Sequence, residues 1–363
     1  MLSFPKLSDA ALRERLEPPK GKPVRLLIDT DTANEIDDQY AVAWALLAPE
    51  HMSVEAVTAE PFSFAHHRPG LLAAEAALSS GAQPEQHLVG GFQGWVERLH
   101  AAGRRAADLE FTLPPEGMEL SYREILTVFD KLGEPSEGRV FRGATRYMTA
   151  PDDIVESDAV ESIIRLAREG EAPLYIAAMG CVTNIAAALL KAPDILERIV
   201  VIWTSAYPSH APHCNRPSLN LVQDVQASRL IFDSGVPHVY LPGYHVGAQL
   251  KISHSEMRDF VKGRGAIGDY LWHLYTHNPL HKMFAITGAE RRTWVIWDII
   301  NIAWLIDPDW VPTHLTPAPV LDDDLYWQHP PGRHLHREAH DVQRDAIFLD
   351  LYDRLKAHSD GAG

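Results

Sequence analysis

Short apolar runs alternate with segments whose apolar residues recur at helical spacing along most of this chain. Residues 1–23 read as an N-terminal extension, with a helix from Asp9 to Leu16 and a Pro/Lys/Gly linker behind it. Val24 to Ile28 is an apolar run that predicts a buried strand, and the periodic segment that ends at Ala48 predicts a helix. Ser53 to Ala59 predicts a second strand, Pro69 to Ser80 a helix, and His87 to Val89 a short strand ending at Gly90-Gly91. Between 102 and 157, Pro114, Pro115, Gly117, Gly133, Pro135 and Gly138 break the pattern, so surface excursions are expected around one helix, Tyr122 to Lys131. Val160, Ile163, Ile164 and Ala167 mark a helix over Asp158 to Arg168. Strands are then expected at Pro173 to Met179, Ile199 to Thr204 and Val236 to Leu241, with helices at Ile185 to Leu190 and Gln226 to Phe232.

Strands that alternate with helices across short turns imply an α/β fold, a mostly parallel central sheet flanked by helices, formed by one domain over 24–363. Residues 253–306 read as helical and aromatic, and the stretch TWVIWDIINIAWLIDP, apolar nearly all round, as one buried helix. Residues 317–340, rich in Pro and His, read as a surface excursion, and 341–357 as an amphipathic closing helix. Ligands of such sheets bind beyond the carboxyl ends of the strands. The loop after the first strand, the turn Gly180-Cys181-Val182-Thr183-Asn184 and the loop Tyr207 to Ser218 all fall there, so they are expected to converge.

Composition narrows the partners. A formal net charge of -16 opposes nucleic acid and anionic membrane surfaces while leaving a small neutral ligand open. No apolar run is long enough to span a bilayer, and the first residues lack an unbroken apolar stretch of the kind a signal peptide carries. The two cysteines, Cys181 and Cys214, form no CxxC and no disulfide framework. A cytoplasmic protein is the expectation.

The candidate chemistry lies directly after the first strand. Asp29, Asp31, Asp37 and Asp38 fall within ten residues, RLLIDTDTANEIDDQYAVAWALLA, at a strand–loop–helix junction. Crowded carboxylates repel one another, and burying them unpaired is costly, so a hard divalent cation is expected among them. Asn34 suits the N-cap of the following helix, with Asp37 and Asp38 in its first turn. Asp298, a lone acid in an apolar segment, needs a partner of its own, either a hydrogen-bonding group or the metal.

Taken together, DTDTANEIDDQYA, MGCVTNIAAAL, Leu219-Asn220 ahead of Asp224, and Trp297-Asp298 resemble, in that order, the landmarks of the inosine–uridine-preferring nucleoside hydrolase family. The resemblance runs from about residue 24 to 306. It implies calcium-dependent hydrolysis of the N-glycosidic bond of a ribonucleoside, with Ca²⁺ held by Asp31, Asp38, Asp298 and the carbonyl of Met179. Six to eight oxygen ligands are usual for that ion. It further implies that Asp31 is the catalytic base, that Asp37 and Asn220 bind the ribose, and that Asp29 supports the loop from behind. Adjacent helical residues point about 100° apart, which fits separate duties for Asp37 and Asp38.

Three departures from the family pattern bear on the substrate. The Asp31–Asp37 spacing is two residues longer than usual and lacks the motif's glycine, which lets Asn34 or Glu35 enter the site. Ser218 stands where an acid is usual, so a sugar contact is lost or Asn215 replaces it. Trp297 stands where many members carry a histidine, as in purine-preferring members, and an indole stacks on a base rather than protonating it. Proton donors could come from His210, His213, His277 or His281. A calcium-dependent nucleoside- or ribose-binding protein, a hydrolase of a non-standard N-riboside, and a phosphatase or glycosyltransferase with a DxD–Mg²⁺ site remain alternatives. The aromatic load of 270–310 suits a core or a subunit interface, so a homo-oligomer, dimer or tetramer, is left open.

Overall fold

The computed structural model describes residues 4–19, 21, 23–80 and 92–361. Its main sheet has eight strands. Their spatial order is β3 (Val140–Phe141), β2 (Met52–Ala59), β1 (Val24–Thr30), β4 (Leu174–Ala178), β5 (Ile199–Ser205), β6 (His238–Pro242), Leu335–Ala339 and Thr313–Pro317. Every neighbouring pair is parallel except the last, which is antiparallel. The expected parallel sheet is therefore present. Because β2 and β4 flank β1 on opposite sides, the strand order reverses at β1, where such sheets open a crevice beyond their carboxyl ends.

Helices cover both faces, and the strands are apolar on both sides as a result. Leu26 and Ile28 of β1 pack with Tyr40 and Trp44 of α2 (Asp38–Leu46) and with Ile299 and Trp304 of the helix Ile299–Ile306. Leu27 points to the other face, among Ile176, Ile185 and Trp203. α1 (Asp9–Arg15) is bound into the body, since Leu12 and Leu16 are buried in the first of these clusters.

Several expectations need correction. Residues 335–339 are no excursion: LHREA is an inner strand paired with β6, and its polar side chains His336, Arg337 and Glu338 hid it from hydrophobic periodicity. The helix expected from Tyr122 starts at Pro114, where proline's missing N–H costs nothing at a first helical position. In TWVIWDIINIAWLIDP the β-branched start forms a strand, Thr293–Val295, against Lys251–Ser253, and the helix begins only at Ile299. Asp298 is therefore an N-cap, not a mid-helix acid. Asn34 is not the cap of α2; Asp37 occupies that position, and the Asn34 side chain is used elsewhere. The closing helix is Arg344–Gly361. The strand expected at His87 to Val89 lies outside the described residues.

His238 of β6 and His336 of the adjacent strand are buried with ring centroids 5.7 Å apart, and no ring nitrogen of either has a partner. Glu338 lies 3.7 Å from His336 but accepts from the Ser209 N–H and hydroxyl, so burial dominates. Burial, with His334 also nearby, holds His336 down at about 3 and His238 well below its usual value. The unfolded chain binds these protons below about pH 6.5 and the folded chain does not, so stability falls as pH drops. The expected loss is at most about 1.4 kcal/mol per pH unit per histidine. Urea unfolding between pH 7.5 and 5 should show a shallower acid loss in the His238→Phe, His336→Phe double variant than in the wild type; equal slopes would refute it.

Candidate active site

Each strand beside the reversal at β1 delivers a residue to one place. β1 places Asp29 at its end and Asp31 just past it; β2 is followed by Glu60, β4 by Met179 and Gly180, and β6 by Gly243 and Tyr244. Asp29 faces backward, its Oδ1 accepting from the Thr58 hydroxyl at 2.6 Å and the Asn184 amide at 2.9 Å. Asn184 also accepts from the Ala144 N–H at 2.8 Å, so it ties the turn to its surroundings instead of facing a ligand. Asp31 Oδ2 accepts from the Asn34 amide at 2.5 Å and the Gln223 amide at 3.5 Å. Gly180 is required beside it, because a Cβ there would sit 2.9 Å from Asp31 Cγ.

Two helix N-termini meet this loop. Asp37 caps α2, Asp38 is its first residue, and Asp298 caps the helix Ile299–Ile306. Both helices turn their positive ends toward these carboxylates. Asp38 accepts from the Thr30 hydroxyl, and Asp37 Oδ2 from the Trp297 N–H at 3.2 Å.

The electrostatics are dominated by burial. Burial holds Asp31 up at about 7, helped by the Asp37 charge and opposed by the Asn34 hydrogen bond. It holds Asp37 at about 6 against a hydrogen bond shared with Asp298. Asp38 is pushed well above the carboxylate range by burial and the Asp31 and Asp37 charges, and Asp298 by burial and the Asp37 and Asp38 charges. Behind them Glu60 is raised by burial and the Asp29 charge.

These groups fit a bound cation on an observation of the structure itself. Asp31 Oδ1, Asp37 Oδ1 and Asp298 Oδ1 are buried without any hydrogen-bond partner. Asp37, Asp38 and Asp298 each offer an oxygen within 4.8 Å of the others, the arrangement of this kind found among the described residues. Asp37 thus stands as near to Asp298 as Asp38 does, so adjacency on the helix does not keep the two apart. Asp31 lies outside that trio but acts on Asp38 and Asp298 electrostatically.

A cavity of about 200 Å³ opens over the cluster. Asn34, Asp37, Met179, Asn220, Trp297 and Asp298, all anticipated from sequence, line it, and so does Glu35. Asn220 donates to the Met179 carbonyl at 2.7 Å and the Thr204 carbonyl at 3.0 Å, which leaves its own oxygen for a ligand. Asn215 is not brought in: it is buried, accepts from the Tyr207 N–H at 3.0 Å and donates to the Leu325 carbonyl at 3.1 Å. Ser218 lines the cavity, with its hydroxyl accepting from the Ala206 N–H at 2.8 Å. None of His210, His213, His277 or His281 lines it; the histidine that does is His67, which burial depresses to about 3. Sequence reading missed His67, Tyr244 and Glu60. Glu60 and Tyr244 carried a usable signal, since each follows the end of a parallel strand.

The chain is also similar to known proteins. Residues 26–346 match the model of a family described as inosine-uridine preferring nucleoside hydrolase. The chain is 32% identical over 90 residues to an uncharacterized protein of Schizosaccharomyces pombe, covering 24% of this chain and 29% of that one. It is 27% identical over 166 residues to the pyrimidine-specific ribonucleoside hydrolase RihA of Citrobacter koseri, covering 42% of this chain and 48% of that one. It therefore spans less than half the length of these two relatives. Its fold is similar to the purine-preferring ribonucleoside hydrolase of Gardnerella vaginalis, with a TM-score of 0.62 and 19% identity over 92% of this chain and 99% of that one.

Calcium added to metal-stripped protein should raise the melting temperature, because a ligand that binds only the folded state stabilises it. In Asp298→Asn that rise should shrink or vanish while the circular dichroism spectrum is kept. A wild type whose melting is indifferent to millimolar calcium would contradict the assignment of a cation to this cluster.

Proposed function

We infer the activity from one premise: the chain belongs to the inosine-uridine preferring nucleoside hydrolase family. The function is hydrolysis of the N-glycosidic bond of a ribonucleoside, giving ribose and free base. The observation that carries it is the pair of buried, partnerless oxygens on Asp37 and Asp298, two residues that line a cavity together with Asn220 and Trp297.

The cation is proposed to be Ca²⁺, with Asp31, Asp38, Asp298 and the Met179 carbonyl as its protein ligands. All are oxygen donors, which suits a hard ion, and Asp37 is close enough to share in the set. When bound, the ion supplies positive charge that offsets the clustered carboxylates and makes a neighbouring water more acidic.

The protein groups divide the remaining work. Asp31 Oδ1, lacking a partner, accepts a proton from the attacking water as the new bond to the anomeric carbon forms; the bond to the base nitrogen breaks with its electron pair leaving on the base, which takes up a proton from solvent. Asp31 is steadied in this by the Asn34 amide on its other oxygen. As the sugar ring gains oxocarbenium character, Asp37 and the other carboxylates below stabilise its positive charge. Asp37 and the Asn220 oxygen hold ribose hydroxyls. Trp297 offers an aromatic face to the base, with Tyr244 at 5.7 Å in a T-shaped contact behind it.

A purine preference is the finer proposal. Of the relatives described above, the Citrobacter koseri enzyme is pyrimidine-specific and the Gardnerella vaginalis enzyme purine-preferring. Stacking on Trp297 favours the larger ring system, and a base–aromatic stack contributes roughly 1–3 kcal/mol. The partner is a small-molecule nucleoside; no described helix is long and apolar enough to cross a membrane.

A panel of ribonucleosides assayed for free base, with and without chelator, tests the whole reading. Release should depend on divalent ion, be faster with purines, and fall about 10²- to 10⁴-fold in Asp31→Asn with the fold retained. Wild-type turnover in Asp31→Asn would remove Asp31 from its role. Nucleoside binding without base release would instead favour a binding protein.

A further inference from the structure

The mechanism above leaves the carboxyl group of Glu35 in the cavity lining unused. Glu35 sits in the stretch that is two residues longer than the family's usual loop, and its neighbours have fixed duties. Ile36 is fully buried in the core and pins the backbone, while the Asn34 amide is committed to Asp31. Glu35 is only half-buried and lines the cavity. Its charge is felt by Tyr244, and it stands beside the indole of Trp294. Tyr244 in turn packs edge-on to Trp297, and Glu35, Tyr244 and Trp297 line the same cavity, with Asp37 and Asp31 near enough to act on the Glu35 charge.

The cavity also has an apolar part. Phe64, Phe284, Leu219 and Pro217 give it apolar walls. His67 lies among rings, 5.3 Å from Phe92 and 6.0 Å from Trp95. A nucleobase carries ring nitrogens and carbonyl or amino groups along its edge, and burying them unpaired against such walls is unfavourable. A site that supplies the missing partner gains discrimination, because an analogue without the matching edge leaves the protein group unpaired as well.

Resting on the nucleoside reading of the cavity, we propose that Glu35 is a specificity-determining residue that hydrogen-bonds the polar edge of the leaving nucleobase while Trp297 takes its face. The role does not depend on one protonation form, since a carboxylate accepts from a ring N–H and a carboxylic acid donates to a ring nitrogen or carbonyl. It also gives the longer loop a purpose that a bare spacer would lack.

The test compares leaving groups in the full-length protein. Inosine, adenosine, guanosine and uridine present a nucleobase edge; 4-nitrophenyl riboside presents none of its ring nitrogens. Glu35→Ala should lose about tenfold or more in kcat/KM on the preferred nucleoside relative to its loss on 4-nitrophenyl riboside. Glu35→Gln, which keeps one donor and one acceptor, should recover part of that difference, and both variants should melt near the wild type. Equal losses on both substrate types would overturn the proposal and leave the hydrolase reading standing. So would turnover of 4-nitrophenyl riboside with no natural nucleoside cleaved. If no riboside is cleaved at all, the hydrolase reading fails on its own account. Calorimetry then decides this one: Glu35→Ala must weaken inosine more than it weakens ribose, and an equal effect on both overturns it.

Discussion

Burying several carboxylates side by side is the constraint on which the rest of this protein depends. Asp29, Asp31, Asp37, Asp38 and Asp298 are all buried, and Glu60 lies behind them. Left alone they would favour protonation or unfolding. The surrounding chain answers with hydroxyls and amides: Thr30 on Asp38, Thr58 and Asn184 on Asp29, Asn34 and Gln223 on Asp31. Two helix N-termini add their positive ends. What these do not satisfy is a specific set of oxygens pointing at one another, and that remainder defines the site.

The parallel sheet explains why the remainder falls in one place. With β1 flanked by β2 and β4, the chain leaves adjacent strand ends in opposite directions, and the loops part over β1. Asp31, Glu60, Gly180 and Tyr244 each follow directly or closely on a strand end, so a rigid core sets their positions. Gly180 shows how tight the fit is, for any side chain there would displace Asp31. The Gly180 carbonyl is itself held by the Trp203 indole at 3.0 Å, which couples the turn to the apolar face of the sheet. Catalytic geometry and core packing are thus the same structure seen from two ends.

Legibility of the sequence followed the physics of each signal. The strands β1, β4 and β5 were readable because inner parallel strands are continuously apolar. Leu335–Ala339 was not, because His336, Arg337 and Glu338 are buried polar side chains, the last two hydrogen-bonded within the protein. Pro114 read as a breaker because proline breaks helix interiors, whereas here it begins one. In the site, Asp31, Asp37 and Asp38 were legible as a dense acidic run beside a strand. Asp298 stood out as a lone acid in an apolar segment, and Asn220 and Met179 emerged through their resemblance to known landmarks. Asn215 was offered as a replacement for the acid missing at Ser218, but the folded chain spends it on backbone groups. His67 was invisible because a lone histidine pair in a loop carries no periodicity, and only tertiary packing brings one of them to the cavity.

The longer loop after Asp31 brings these strands of argument together. Two extra residues raise the cost of closing such a loop by only ~0.3 kcal/mol, so stability alone would not forbid them. Their effect is directional. Ile36 is sunk into the core, the buried Asn34 donates to Asp31, and both Asn34 and Glu35 line the cavity. The Asn34 contact has a chemical consequence: it occupies one oxygen of Asp31 and leaves the other as the sole free acceptor. A carboxylate fixed in this way presents its basic lone pair in one direction and loses little orientational freedom when a water approaches. The insertion therefore does more than enlarge the cavity. It fixes the Asp31 carboxylate through the Asn34 amide.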